Sequence, residues 1–236
     1  MSKKNMILRA LRSAFPHTIP ILAGFTFLGM TYGILITTEG FPFWFPILTS
    51  ICVFAGSMEF AGVALLLGGF NPFQALAMTL MINARHLFYG ISMLEKYKGM
   101  GWKKFYLIFG LCDESFSINC SVDVPEGVDK GWFMFFVTLL DQLYWVTGCT
   151  LGGIFGSFLT VNTEGLDFVM TAMFVVIFLE QWLKEKNHSS SLIGLAVPFV
   201  CLLIFGADRF IIPSMIALLG ILALMRRPFE REVAEK

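Results

Sequence analysis

The chain has 236 residues, of which 56% are hydrophobic, 15% aromatic and only 14% charged, with a mean hydropathy of +0.74. Soluble domains carry about 25% charged residues, so a soluble globular fold is excluded. The 17 basic side chains balance the 17 acidic ones; this leaves no basic excess for nucleic-acid binding, and the hydrophobicity is the opposite of disorder.

The charges gather at residues 1–12, 95–104, 122–130, 184–188 and 226–236, with apolar stretches of 17 to 27 residues between them. About 20 helical residues cross the ~30 Å hydrocarbon core. The pattern predicts an all-α polytopic membrane protein of about seven to eight segments, with the whole chain, 1–236, forming one integral membrane domain. Residues 1–15 form a basic cytoplasmic N-terminus, 16–225 the membrane segments and 226–236 a cytoplasmic tail.

Lys3, Lys4, Arg9 and Arg12 precede an apolar run from Pro16 to Thr38. That run is too long for a signal-peptide core and lacks a small-residue cleavage site, so it reads as a retained first span. The further segments are 43–69, 72–94, 105–122, 131–157, 165–183, 191–207 and 209–225. Pro42, Pro46, Pro72 and Pro213 stand at or near segment starts, where a missing N–H costs little. Gly40, Gly69, Gly99 and Gly165 punctuate connections. Cys52, Cys112, Cys120, Cys149 and Cys201 form no CxxC pair and have no histidine at ligand spacing, so they read as small packing residues and no metal site is expected. No cofactor is expected either.

Basic residues mark the N-terminus, Lys96 to Lys104, Lys184 with Lys186, and Arg226 with Arg227, whereas Asp123, Glu126 and Asp129 make 122–130 acidic. Eight simple crossings from a cytoplasmic N-terminus would put 95–104 outside, against the positive-inside rule. The conflict disappears if 43–69 and 131–157 are broken or re-entrant, with both termini inside. Each of these stretches has 27 residues and is interrupted by small ones: Ala55-Gly56-Ser57 in the first, Gly148, Gly152, Gly153 and Gly156 in the second. The layout suggests an internal 3+3 repeat, 16–94 and 105–183, with broken helices in matching positions as transporters have. The alternative is a long tilted helix whose glycines serve close packing.

Glu59, Arg85, His86, Asp113, Glu114 and Asp141 stand inside spans, where each costs at least ~2.5 kcal/mol unless paired or wetted. Around Gly56 and Ser57 an unwound backbone could hold a charged substrate, and Glu59 could take an ammonium group or a proton; otherwise Glu59 pairs with Arg85 across a packing notch. Asn83 and His86 share a helix face, with Arg85 pointing elsewhere. His86 suits proton handling, or is simply satisfied by a neighbour's carbonyl. Asp113 lies four residues before Ser117, with Glu114 one position round; two buried carboxylates so close would share one proton, or else rim a water-filled vestibule. Asp141, Gln142 and Trp145 open the glycine-rich segment, and Asp141 shares a face with Trp145. Trp44, Trp102, Trp132 and Trp182 fall at segment ends as interfacial anchors. There is no GxSxG, HExxH or phosphate-binding glycine loop, so no enzyme is expected.

Phe54-Ala55-Gly56-Ser57 with Phe60-Ala61, then Asn83, Arg85-His86-Leu87 and Tyr89, then Asp113-Glu114 and Phe116, resemble the AzlC-type branched-chain amino acid permeases. The glycines after Trp145 and the Gly165-Leu166-Asp167-Phe168 opening fit as well. The resemblance covers nearly the whole chain. It implies export of leucine, isoleucine, valine and their analogues across the bacterial cytoplasmic membrane, driven by the proton motive force, together with a small AzlD-like membrane subunit. One departure stands out: the family most often has a neutral glutamine where this chain has Glu59. On this reading Gly56, Ser57, Glu59, Asn83, Asp141 and Gln142 bind substrate, and Arg85, His86, Asp113 and Glu114 couple protons or form ion pairs. The competing expectations are a carrier or channel for another small solute, and a non-transporting membrane subunit that stabilises a partner. In the latter, the ionisable residues should disperse to the lipid-facing contact surface.

Overall fold

The computed structural model describes residues 3–69, 71–158 and 188–206, with isolated positions at 172, 175, 178, 179, 182, 183, 210, 213, 214, 216–218, 220 and 221. The expected segments 165–183 and 209–225, and the Gly165-Leu166-Asp167-Phe168 motif, fall largely or wholly outside them. All regular structure among the described residues is helical: α1 (Lys3–Thr38), α2 (Phe45–Cys52), α3 (Gly56–Leu67), α4 (Pro72–Ile82), α5 (Ala84–Met93), α6 (Lys103–Phe109), α7 (Asp113–Ser121), α8 (Lys130–Phe158) and α9 (Ser189–Phe205). The chain divides into two compact units, Met1–Met170 and Thr171–Lys236. The first holds α1 to α8; α9, in the second, fills the expected segment 191–207.

Among the described residues two helices, α1 and α8, are long and apolar enough to cross a bilayer unaided. The first runs unbroken for 36 residues and takes in most of the basic N-terminus that was expected to precede the membrane segments. At 1.5 Å per residue that is roughly 54 Å, well beyond the hydrocarbon core.

The stretch 131–157 is not broken, contrary to the sequence expectation, because α8 is one continuous helix of 29 residues. Its glycines are spent on contact with α1. Gly148 faces Phe25 and Thr26, and a β-carbon there would lie 3.0 Å from the Phe25 carbonyl oxygen. Gly152 abuts the Met30 backbone, and Gly156 would place a β-carbon 3.0 Å from Ile34 Cα. From the other side, a β-carbon on Gly29 would come within 2.9 Å of the Cys149 nitrogen, and Gly33 meets the backbone of Cys149, Gly152 and Gly153. Small residues four apart on both helices let the two backbones touch. The continuous α8 offers no break to match that of 43–69, and most of 159–183 lies outside the described residues, which leave the expected repeat of 16–94 and 105–183 unconfirmed.

Real breaks fall elsewhere. The stretch 43–69 is interrupted as expected, at Val53–Ala55, where Phe54 adopts φ 45°. A buried phenylalanine in the left-handed region stores strain of order 1–2 kcal/mol. The expected single spans 72–94 and 105–122 are also interrupted, by Asn83 and by Gly110–Cys112. Asn83 closes α4 and opens α5. At the other break Cys112 caps α7: its sulfur accepts from the Ser115 N–H at 3.5 Å, while Ser115 Oγ accepts the Cys112 N–H at 2.9 Å. This reciprocal cap has the logic of a Ser/Thr–Glu capping box but not its residues, and a thiol was not read as a helix start.

One buried cluster lies where α1, α5, α6, α7 and the first half of α8 meet: Ala14, Met93, Tyr97, Leu107, Ile118, Phe133, Met134 and Val137. Two lysines of the 95–104 cluster secure helix ends beside it. Lys96 Nζ donates to the Cys120 carbonyl at 2.6 Å, placing a cation at the α7 C-terminus. Lys103 lies 3.7 Å from Asp129 and 4.6 Å from the Trp132 ring centre, and Asp129 in turn accepts the Trp132 N–H at 2.8 Å, capping α8.

Replacing Gly152 by Val drives a side chain into the α1 backbone and is expected to cost about 1–3 kcal/mol, the range for overpacking a filled interior. Gly24→Ala, in open space on the same helix pair, should leave stability unchanged or raise it. Thermal unfolding of the detergent-solubilised protein, followed by tryptophan fluorescence, checks both.

Candidate functional site

Two helix breaks meet against one face of α8. The Phe54 ring approaches the position a β-carbon on Gly110 would take, at 3.8 Å, and the Thr138 methyl group occupies that same space. Gly110 therefore admits both side chains into the α6–α7 break. The α8 face consists of Thr138, Asp141, Trp145 and Cys149, spaced by three or four residues and all buried. These positions form one helical stripe.

Trp145 and Glu59 make the first half of the site. The indole Nε1 donates to Glu59 Oε2 at 2.7 Å, while Oε1 is buried with no hydrogen-bond partner among the described residues. The indole is held by Phe25 in an edge contact at 5.7 Å and by Tyr32 stacked at 6.5 Å, and the Tyr32 hydroxyl is bonded to Thr49 Oγ1 at 3.0 Å. Gly56 opens α3 beneath the ring, since a β-carbon there would lie 2.9 Å from the indole. The α3 N-terminus has no side-chain cap. Its first N–H groups carry the positive end of the helix dipole and lie one turn from Glu59.

Arg85, on α5, joins the N-termini of the two half-helices. Its Nη2 lies 3.0 Å from Asp113 Oδ2, in the first turn of α7, and 3.4 Å from Ser57 Oγ, in the first turn of α3. Asp113 Oδ1 and Arg85 Nε are buried, and the Tyr89 hydroxyl lies close to Asp113. The sequence alternative of a Glu59–Arg85 pair is not what the fold makes: Glu59 goes to Trp145 and Arg85 to Asp113.

Asp141 stands apart from this pair. It is fully buried, and neither carboxylate oxygen has a hydrogen-bond partner among the described residues. Its electrostatic neighbours are Glu114, Cys112 and Tyr106, around the α6–α7 break. Gln142 is engaged at both ends: its Oε1 accepts from the Tyr106 hydroxyl at 2.6 Å, and its Nε2 donates to the Ile51 carbonyl at 3.2 Å. It ties α8 to α2 and α6. Asn83 sits at the α4–α5 junction, not on a continuous helix face, and its carbonyl lies 3.3 Å from His86 Nδ1. Ser117 is exposed, so its spacing from Asp113 lines nothing.

The fold therefore brings Ser57, Glu59, Arg85 and Asp113 together beside Gly56, and sets Asp141 and Glu114 at the neighbouring break. Sequence reasoning missed Thr138, Tyr106 and Cys112, and did not assign Trp145 to the site. The Thr138–Asp141–Trp145–Cys149 spacing was the available signal for α8; nothing local marked Tyr106.

Trp145→Phe keeps an aromatic ring but removes the N–H donor to Glu59 Oε2. The lost hydrogen bond is expected to cost about 1–3 kcal/mol of stability, beside the cost of the smaller ring. In a Glu59→Leu background the hydrogen-bond part should vanish, because no acceptor remains. Unfolding midpoints of the four proteins in the cycle measure the coupling.

The chain is similar along most of its length to known proteins. The family model described as "AzlC protein" matches residues 20–159. The "Branched-chain amino acid transport protein AzlC" of Bacillus subtilis is 62% identical over 98% of this chain and 91% of the relative. An "Uncharacterized membrane protein" of Haemophilus influenzae is 48% identical over 93% of this chain and 91% of its own length. The "Inner membrane protein YgaZ" of Escherichia coli is 25% identical over 72% of each. No solved structure matches. The composition, the apolar helices and these relatives agree on a membrane protein, and the Phe54–Ser57, Asn83–Tyr89 and Asp113-Glu114 motifs that carry the resemblance stand at the three helix breaks. The chain belongs to the AzlC family.

Proposed function

We propose that the protein exports branched-chain amino acids across the bacterial cytoplasmic membrane, driven by the proton motive force and working with a small AzlD-like membrane subunit. The observation that carries the reading is the 62% identity, over nearly the whole chain, to a relative named as a branched-chain amino acid transport protein. The inward convergence of ionisable residues adds to it, because a merely stabilising subunit would spend its charges on the lipid-facing surface. Both termini lie in the cytoplasm on this reading, in keeping with the basic N-terminus and the 95–104 cluster.

A zwitterionic substrate needs donors for its carboxylate and an acceptor for its ammonium group. The uncapped first turn of α3, with the Gly56 and Ser57 N–H groups and the Arg85 guanidinium nearby, suits the carboxylate. Glu59 Oε1, buried and unpartnered, suits the ammonium group, and Asp141 is the second acceptor. Asn83 shapes the α4–α5 junction behind Arg85, and Gln142 braces α8. His86 and the Asp113–Glu114 pair are the proton handlers.

The test is leucine efflux from cells loaded with a leucine-containing dipeptide. This chain alone, the chain with its small subunit, and the pair carrying Glu59→Gln are compared. Efflux is expected only with both subunits. Loss of one charge-assisted hydrogen bond, about 1.5–3 kcal/mol, predicts a fall of roughly tenfold to a hundredfold for Glu59→Gln. Unchanged efflux and unchanged pH dependence would remove Glu59 from the site, and no efflux from a well-expressed pair would reopen the cargo.

A further inference from the structure

Helices α1 and α8 run parallel: Gly148 meets Phe25 and Thr26, Gly152 meets Met30, and Gly156 meets Ile34. The pair serves as a ruler for the shorter helices. The entry to α2 lies beside Gly153, where a β-carbon would stand 2.8 Å from the Phe43 carbonyl and 2.9 Å from the Pro46 ring. Its far end reaches Gln142, whose Nε2 donates to the Ile51 carbonyl at 3.2 Å, so α2 runs against α8. Past the break, α3 starts beneath the Trp145 ring and turns back. One turn on, Phe60 packs against Tyr32 at 5.4 Å, next to the α1 turn that holds Gly33 against Cys149 and Gly153. The other pair reverses from the opposite end. Lys103, opening α6, lies 3.7 Å from Asp129 at the foot of α8. From there α6 climbs past Phe135, 5.0 Å from the Tyr106 ring, to Gly110 beside Thr138. Then α7 descends: Ile118 joins Phe133 and Met134, and the Cys120 carbonyl accepts from Lys96. The stretch 105–122, expected as one crossing, folds back on itself.

Length and charge agree with this path. Helices α2, α3, α6 and α7 have 8, 12, 7 and 9 residues. That is roughly 10 to 18 Å each, against a hydrocarbon core of ~30 Å. By contrast α4, Asn83 and α5 cover 72–93, roughly 33 Å of helix, passing Met58 at Thr79 and Ser57 at Arg85. The connections 39–44 and 68–71, at the C-terminal end of α8, hold no lysine or arginine. Those at its N-terminal end hold Lys96, Lys98, Lys103 and Lys130, as the cytoplasmic face requires. We infer that α2–α3 and α6–α7 are re-entrant hairpins entering from opposite membrane faces, the first from outside and the second from the cytoplasm, and that their abutting tips, Phe54 and Gly110 against Thr138, are the carrier's gate.

The gate assignment rests on the transporter reading; the two hairpins stand on the contacts alone. On the cytoplasmic side of the tips a cavity of about 120 Å³ lies between α5 and α6, lined by His86, Gly90, Leu94, Lys104, Ile108 and Leu111. Beyond the tips, two turns further along α8 from Thr138, Trp145 holds Glu59. Withdrawal of the α6–α7 tip joins the cavity to Glu59, which makes this hairpin the cytoplasmic half of the gate.

The test is sided cysteine labelling of the full chain in its membrane. It needs no substrate, so its failure is distinct from failure of the efflux experiment. Glu39→Cys, Asn71→Cys, Lys98→Cys and Glu126→Cys are made one at a time, with the parent chain as the blank for the native thiols. An impermeant maleimide should label positions 39 and 71 in intact cells, and positions 98 and 126 only in inside-out vesicles. Position 126 labelled from outside makes α6–α7 a crossing and overturns the inner hairpin. Positions 39 and 71 on opposite sides overturn the outer one. For the gate, Ser57→Cys is labelled in inside-out vesicles. Adding Gly110→Ala drives a β-carbon into the Thr138 methyl group, so the tips part and labelling should rise severalfold. Thr138→Ser, which deletes that methyl, should return it to the starting level. If Gly110→Ala does not accumulate, Phe54→Gly takes its place, because it withdraws the ring and suits φ 45°. Labelling of position 57 indifferent to these changes overturns the gate.

Discussion

Backbone contact between α1 and α8 is the constraint on which the rest of the structure depends. Gly29 and Gly33 on one helix, and Gly148, Gly152 and Gly156 on the other, remove the side chains that would hold the helices apart. In lipid there is little hydrophobic gain from bringing two apolar helices together, so close packing has to supply the attraction. The glycine face also fixes the rotation of α8. With Gly148 and Gly152 turned to α1, Trp145 is held between Phe25 and Tyr32 of α1 and Glu59 of α3, and Thr138 meets Gly110 at the α6–α7 break.

Against that rigid pair stand helices too short to span a bilayer alone, interrupted at Val53–Ala55, Asn83 and Gly110–Cys112. Each interruption frees backbone groups that lipid cannot satisfy, so each must be buried in protein or line a polar cavity. The fold turns two of them toward α8, where Phe54, Gly110 and Thr138 interlock. Acidic side chains in the first turns of α3 and α7 then sit at the positive ends of two half-helices. Arg85 bridges these ends, and Trp145 donates a hydrogen bond to Glu59. The result is a polar interior whose unpartnered buried atoms, among the described residues, are mostly carboxylate oxygens.

Legibility in the sequence followed the range of the interactions. The membrane class, the first span and the 43–69 interruption were readable because composition and a local run of small residues decide them. The ionisable residues of the interior were readable because they are costly anomalies in apolar segments. The breaks at Asn83 and Gly110–Cys112 were hidden, the first inside an apolar run and the second behind a cap built from Cys112 and Ser115. The glycines of 131–157 misled in the opposite direction. A glycine that unwinds a helix and one that admits a neighbouring backbone look alike until the neighbour is known.

The sequence by itself determined what must be buried: a lipid-compatible surface, a handful of charges with no place in hydrocarbon, and the residue types, Gly56, Ser57, Glu59, Arg85, Asp113 and Asp141, that could handle a charged solute. Only the tertiary structure decided who meets whom. Glu59 is held by Trp145, 86 positions away, and Arg85 by Asp113, 28 positions away, while Asp141 has no hydrogen-bond partner among the described residues. Pairings at such separations depend on how α8 is rotated against α1 and where the half-helices end. Those are properties of packed backbones, and a linear pattern of residues does not carry them.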